Sequence, residues 1–308
     1  MATIESTILG QSLGLTQQER LTVLTDEQGL GRALAFHREA CRLGAESVVL
    51  LQVPQVVGNE LAAVAAAAFG ESDVIVSVLA GSISHSGVTR EALARGARVV
   101  SMGASTEEML KRLLCRDASL VVARSRRIAA ALSAARRARI TCPLGTDLAL
   151  DVEGRTGVAD DGDLGRPGSL GNMPFGEGYI APNGGAGRVV PTTIAGQGRL
   201  RRGPVLEVEN GRLLSAQGAA GRTLCETLDR HGAAGRSLAE LGIGAHHAAR
   251  LSGNVLEDEK VLGSAHVAFG SNAAFGGNVD VPVHIDCVVA DATIWLDDRV
   301  FDPAGAGA

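Results

Sequence analysis

Residues 46 to 102 read ESVVLLQVPQVVGNELAAVAAAAFGESDVIVSVLAGSISHSGVTREALARGARVVSM, and this stretch decides the fold. Three short apolar runs, at 46–53, 72–79 and 97–102, are separated by alanine-rich or amphipathic segments. Unbroken apolar runs of this length suit strands of a parallel sheet that is buried on both faces. The segments between them carry helix signals: Asn59 can cap NELAAVAAAAF, and Gly96 closes SGVTREALARG. Working outward, residues 29–43 have helical spacing and end at Gly44, while Ser105, Glu107 and Glu108 open STEEMLKRLL. Strand and helix alternate, which predicts a doubly wound parallel sheet.

After residue 140 the composition changes. Alanine-rich helices give way to glycine, aspartate and proline, so a boundary is expected near Thr141. A Rossmann-like α/β domain would span 1–140, and an α+β metal-binding domain rich in antiparallel strands would span 141–308. ITCPLGTDLALDV (140–152) reads as the strand that leaves the first domain. PVLEVENGRLL (204–214) places Asn-Gly between two apolar runs, a strong hairpin signal. ATIWLDDRVF (292–301) predicts a last strand pair about an Asp-Asp turn.

The chain has 308 residues, 45% of them hydrophobic and only 3% aromatic, with 40 glycines. That suits an Ala/Val/Leu-packed protein with a sizeable core and many tight turns. A net charge of −5 offers no general attraction to nucleic acid or to an acidic membrane. Six arginines within 122–140 have no interleaved aromatic residues and read as a solvated helix face. The sequence predicts neither a signal peptide nor a membrane span, and a cytoplasmic protein is expected. Cys41, Cys115, Cys142, Cys225 and Cys287 are scattered, without CxxC spacing, and are expected as reduced thiols. With no GxGxxG after the 46–53 run and no GKS or GKT, a phosphate cradle has no support.

The chemistry concentrates in LEDEKVLGSAHVAFGSNAAFGGNVDVPVHID (256–286). Imidazole and carboxylate are ligand types that borderline divalent metals take. His284 and Asp286 are two residues apart, so on a strand both leave the same face. An antiparallel strand carrying His266 opposite them would bring three donors to one ion. Glu177, between glycines in PFGEGYIAP, could reach a metal or act as general base, or could be a surface turn residue. His85, in AGSISHSG after the 72–79 run, sits where open α/β sheets bind ligands, and could accept a proton, anchor a substrate or pack locally. DDGD (160–163) lacks calcium-loop spacing and reads as solvated. Of the adjacent His246 and His247, at least one is expected at the surface.

In chain order, GNMPFGEGYIAP (171–182), AELGIG (239–244), LEDEKVLGSAHVAFG (256–270), PVHID (282–286) and TIWLDD (293–298) resemble the metallo-aminopeptidase family of aminopeptidases T and S. SISHS (82–86), SMGASTEEMLKRLL (101–114) and CPLGTDLAL (142–150) are more similar to shorter leucyl aminopeptidase-like proteins. A more distant similarity is to 2,5-dihydroxypyridine dioxygenases. The aminopeptidase resemblance implies a homodimer that hydrolyses an amide bond of a peptide or small amide. It implies two divalent ions (Zn, Co or Mn) on Glu177, Glu240, His266, His284 and Asp286, with Glu259 as a further ligand or base. Such ions would acidify a bound water, whose proton Glu177 or Glu259 would take. The dioxygenase resemblance implies one ferrous ion on two histidines and a carboxylate. The first of those histidines falls at Glu240 here, and Glu177 and His266 have no equivalent in that family. A dioxygenase reading would use His266, His284 and Asp286, with His85 matching a histidine near the substrate. The donor set ranks hydrolysis ahead of ring cleavage, and a scaffold that keeps the fold without activity comes third.

Overall fold

The structure is a computed structural model that describes residues 3–52, 61–84, 86–114 and 118–305. Asn59 and His85, for which roles were expected, lie outside the described residues. The chain divides into two compact units. One comprises Met1–Ala118 and Gly162–Phe175, the other Ser119–Asp161 and Gly176–Ala308.

The first unit holds a five-stranded parallel sheet. Its order is Glu46–Leu51, Arg20–Thr25, Val74–Ser77, Arg98–Ser101 and Leu170–Asn172. The expected runs form strands, but the sheet starts one strand earlier, at RLTVLT, which pairs with both Glu46–Leu51 and Val74–Ser77. Leu24, Phe69, Ile75, Ile83 and Val99 form the core between sheet and helices. The helix Leu30–Leu43 ends at Gly44, whose φ of 81° is open to glycine at little cost.

The boundary near Thr141 is not where the chain divides. The arginine-bearing helix Ser119–Ala134 packs on the strand Glu177–Ile180, with Ile128 seated over Gly178, so it belongs to the second unit. Residues 162–175 then return to the first unit and add the parallel edge strand. Composition registers neither event, because both depend on contacts distant in sequence.

The second unit has two seven-stranded antiparallel sheets. ITCPLGTDLALDV is not one strand but the meeting of Arg137–Thr141 and Asp147–Asp151 around a turn. The Asn-Gly hairpin forms between Leu206–Glu209 and Arg212–Ala216, with positive φ at Asn210 and Gly211. The last strand pair turns at Asp297 and Asp298, as expected. Ile140, Leu148, Leu206 and Val208 from one sheet meet Leu241, Ile243, Val267 and Phe269 from the other in a shared core, closed by Ile128, Leu132, Leu224 and Leu228 from helices. No helix among the described residues is long and apolar enough to cross a membrane.

Candidate metal centre

Strand register collects the polar residues on one face of a single sheet. Side chains alternate along a strand, and residues directly opposite each other share a face. Asp160 pairs with Glu177, and Tyr179 pairs with Gly242, which in turn pairs with His266. Glu240 pairs with Ala268, Ala268 with Asp286, and Gly270 with His284. Asp160, Glu177, Tyr179, Glu240, His266, His284 and Asp286 therefore stand together. The other face carries Ile180, Leu241, Ile243, Val267, Phe269, Cys287 and Val289, all in the core.

Two local features make room for this arrangement. Leu238 and Glu240 are two apart and would share a face, but a register shift between them leaves Leu238 in the core and turns Glu240 to the polar side. Gly242 lies under the His266 ring, where an added Cβ would be 2.0 Å from the ring's Cε1. Glu240, a ligand only through the aminopeptidase resemblance, lies within the buried strand Leu238–Gly244.

The donors converge. His266 Nε2 is 3.2 Å from Glu240 Oε1, and His284 Nε2 is 3.4 Å from Glu240 Oε2 and 3.3 Å from Asp286 Oδ1. Donors held at about 2.0–2.2 Å from one ion stand about 3 Å or slightly more from each other, so these separations fit shared coordination. One atom each of Glu259, His266 and Asp286 also lie within 4.8 Å of one another. His284 Nδ1 donates to the carbonyl of Ser271 at 2.7 Å, which fixes the tautomer and leaves Nε2 aimed at two carboxylates. A neutral imidazole has no proton for them there, so a proton or a metal cation has to stand between. Glu177 Oε2 and His266 Nδ1 are buried without a hydrogen-bond partner among the described residues.

At the other end lies Lys260, fully buried, with Nζ paired to Glu177, to Glu259 Oε1 at 2.9 Å and to Asp160 Oδ2 at 3.2 Å. Of the acidic residues in LEDEK, Glu257 accepts from the Arg250 amide and Asp258 from Ser252, Gly253 and Thr193, so Glu259 is the one that faces the cluster.

The cluster draws protons strongly. Burial pushes the Glu177 carboxyl up to about 8 and Asp160 up to about 6, against the pull of Lys260. Burial also raises Glu259. Burial alone would lower His266, but Glu177, Glu240 and Glu259 outweigh it and push the ring up to about 9. His284 is raised well above an ordinary histidine, where Asp286 and then Glu240 overcome burial. Glu240 and Asp286 are held below the usual carboxylate range, as the imidazoles outweigh burial. A pocket that gathers protons onto its ligating atoms has negative charge in excess, and a divalent cation would displace those protons.

Sequence analysis passed over Lys260, and it read Asp160 as solvated. Asp160 is buried because the strand Val158–Asp160 joins the site sheet, while its neighbour Asp161 pairs with Arg126. Tyr179, the chain's single tyrosine, and Phe275 were also missed. Tyr179 meets Phe275 edge-on at 5.3 Å, and Phe275 meets His284 at 6.0 Å, forming an aromatic corner beside the donors. His246 is buried, its Nδ1 accepting from the Ala248 amide and its own amide donating to Lys260 O, and His247 is exposed.

Imidazoles and carboxylates converging on the polar face of a half-apolar antiparallel sheet define a candidate metalloenzyme. The chain belongs to the 2,5-dihydroxypyridine 5,6-dioxygenase (NicX) family, whose sequence profile matches residues 11–306. The 2,5-dihydroxypyridine dioxygenase of Pseudomonas putida KT2440 shares the fold, with a TM-score of 0.80 at 19% identity over 97% of this chain and 94% of that one. Wild-type AmpT from Thermus thermophilus is a weaker likeness, with a TM-score of 0.63 at 18% identity over 94% of each chain. No curated protein matches the sequence. The motifs had ranked the aminopeptidases ahead of the dioxygenases, and the family match reverses that order.

Proposed function

We propose that the protein is a non-haem iron dioxygenase that opens a hydroxylated, pyridine-like ring, with His266, His284 and Asp286 as the metal ligands. Family membership supports the reaction class. The observation that carries the assignment of residues is His284, anchored at 2.7 Å on Ser271 and directing Nε2 toward Glu240 and Asp286. Ferrous iron on two histidines and a carboxylate supplies the redox chemistry by which an aromatic ring and O2 react. The chain's part is to hold and orient. Tyr179 and Phe275 offer aromatic surface against which a planar ring can pack. Burial, with Glu240 close by, raises the Tyr179 phenol, which keeps it protonated and able to donate to an oxygen on the ring. His85 enters this reading as a base only through its match to a histidine that the dioxygenases use near the substrate.

A second reading, amide hydrolysis by a metal-activated water, is favoured by one observation. Glu177, Glu240 and Glu259 crowd the same cluster, more carboxylates than a two-histidine, one-carboxylate set requires. In that reading Glu177 or Glu259 serves as the base.

The two separate in one experiment. Anaerobically purified protein loaded with Fe2+ should consume O2 in proportion to the 2,5-dihydroxypyridine lost, followed by an oxygen electrode and ring absorbance. Amine release from aminoacyl p-nitroanilides with Zn2+, Co2+ or Mn2+, without O2 uptake under iron, would replace the dioxygenase with the hydrolase.

A further inference from the structure

Lys260 has no part in either reading, yet it is among the largest fully buried side chains. Lysine is rarely buried completely unless it is paired. Its backbone is pinned on both sides: the amide donates to Glu257 O at 3.0 Å, and the carbonyl accepts from the His246 amide at 2.8 Å. An ammonium carries three N–H donors. Glu177, Glu259 and Asp160 provide three carboxylates around it.

Two of those carboxylates face both ways. Glu177 gives Oε1 to Lys260, while its Oε2 lies 3.5 Å from His266 Nε2. Glu259 gives Oε1 to Lys260 at 2.9 Å and also supplies a donor to the group it forms with His266 and Asp286. Carboxylates bridge two cations in this way in two-metal sites, whose ions sit about 3.5–4 Å apart. Here the cation on the far side is part of the chain.

We propose that the Lys260 ammonium occupies the second cation position of a carboxylate-bridged centre, so that the site takes one metal ion although its carboxylates would suffice for two. The inference rests on the metal-centre reading above and deepens it. It answers Glu177 and Glu259 of the surplus carboxylates, together with Asp160, without a second ion. It also turns a donor set that resembles the aminopeptidases toward one-metal chemistry.

The test counts ions and needs no turnover. Metal-free protein is titrated anaerobically with Mn2+ alone, and bound metal is measured by equilibrium dialysis with mass spectrometry. Wild type and Lys260→Arg should each hold about one Mn2+ per chain, while Lys260→Gln should hold about two, with the broadened electron paramagnetic resonance signal of neighbouring ions. If Lys260→Gln folds only with metal present, refolding with about two ions bound is the supporting result. Two ions on wild type or on Lys260→Arg overturn the proposal, as does Lys260→Gln with only one ion or no folded state in Mn2+. No ion on any chain overturns the metal-centre reading and this proposal together. One ion on wild type and two on Lys260→Gln without ring cleavage overturns the dioxygenase assignment alone and supports the role of Lys260.

Discussion

The two ends of the polar face hold the same kinds of acid and differ in the cation that answers them. At one end Asp160, Glu177 and Glu259 surround Lys260, whose side chain is fully buried and whose charge is carried by the chain itself. At the other, Glu240 and Asp286 meet imidazoles, whose charge depends on protonation, and the Asp286 side chain keeps 19% of its exposure. Burial with a built-in partner makes a fixed structural site. Ligating nitrogens beside a partly exposed carboxylate suit an exchangeable cation instead. The same residue type is therefore structural or chemical according to which cation faces it.

His284→Ala should break the comparison most. It removes a donor at the accessible edge while leaving the Lys260 end intact. Metal content and activity should fall to background, beyond the roughly 10–100-fold in affinity that losing an outer partner of a ligand costs. The metal-free protein should also melt lower, because Glu240 and Asp286 lose the protonated imidazole that stands between them. Retained metal would move the centre toward Glu259, His266 and Asp286.

The pH dependence of metal uptake sharpens the comparison at the imidazole end. Burial works to lower His266, but the surrounding carboxylates push it up to about 9, so binding through its ring has to displace a proton. Affinity measured by calorimetry should rise about tenfold per pH unit for each proton displaced, and level off once pH passes that value. Because the folded value is raised, the stabilisation that protonated His266 gives the metal-free protein is complete below about 6.5 and is lost as pH rises through about 9. Affinity that is flat with pH would mean that His266 is already neutral.

Gly242→Ala should have the smallest effect. Its Cβ would press on the His266 ring at 2.0 Å, and overpacking of this kind costs about 1–3 kcal/mol. Urea unfolding would show that loss together with weakened metal binding. An unchanged urea midpoint and unchanged affinity would show that the ring is not held against this strand.

Much of the site was legible locally. His284 and Asp286 share a face because they are two apart on a strand, and the antiparallel strand bearing His266 lies beside them as the spacing suggested. The apolar runs at 72–79 and 97–102 announced the parallel sheet because burial on both faces leaves no alternation to read, while the run from Glu46 to Leu51 forms its edge, with Val48 and Leu51 exposed. Asp160 and Lys260 could not be read that way. In VADDGD and LEDEK each looks like an ordinary surface charge, and nothing near it in sequence names its partner.

By itself, then, the sequence determined that the apolar runs are strands, that His284 and Asp286 share a face, and where imidazole and carboxylate donors cluster, since these follow from side-chain period and residue chemistry over a few neighbours. Only the tertiary structure decided that Glu240 turns toward His266 through a register shift and that the helix Ser119–Ala134 belongs to the second unit. It also decided that Asp160, Glu177 and Glu259 close around one buried ammonium. Asp160 lies 100 residues from Lys260 along the chain, and only the pairing of Val158–Asp160 with Glu177–Ile180 brings it there, so local spacing holds no record of the contact.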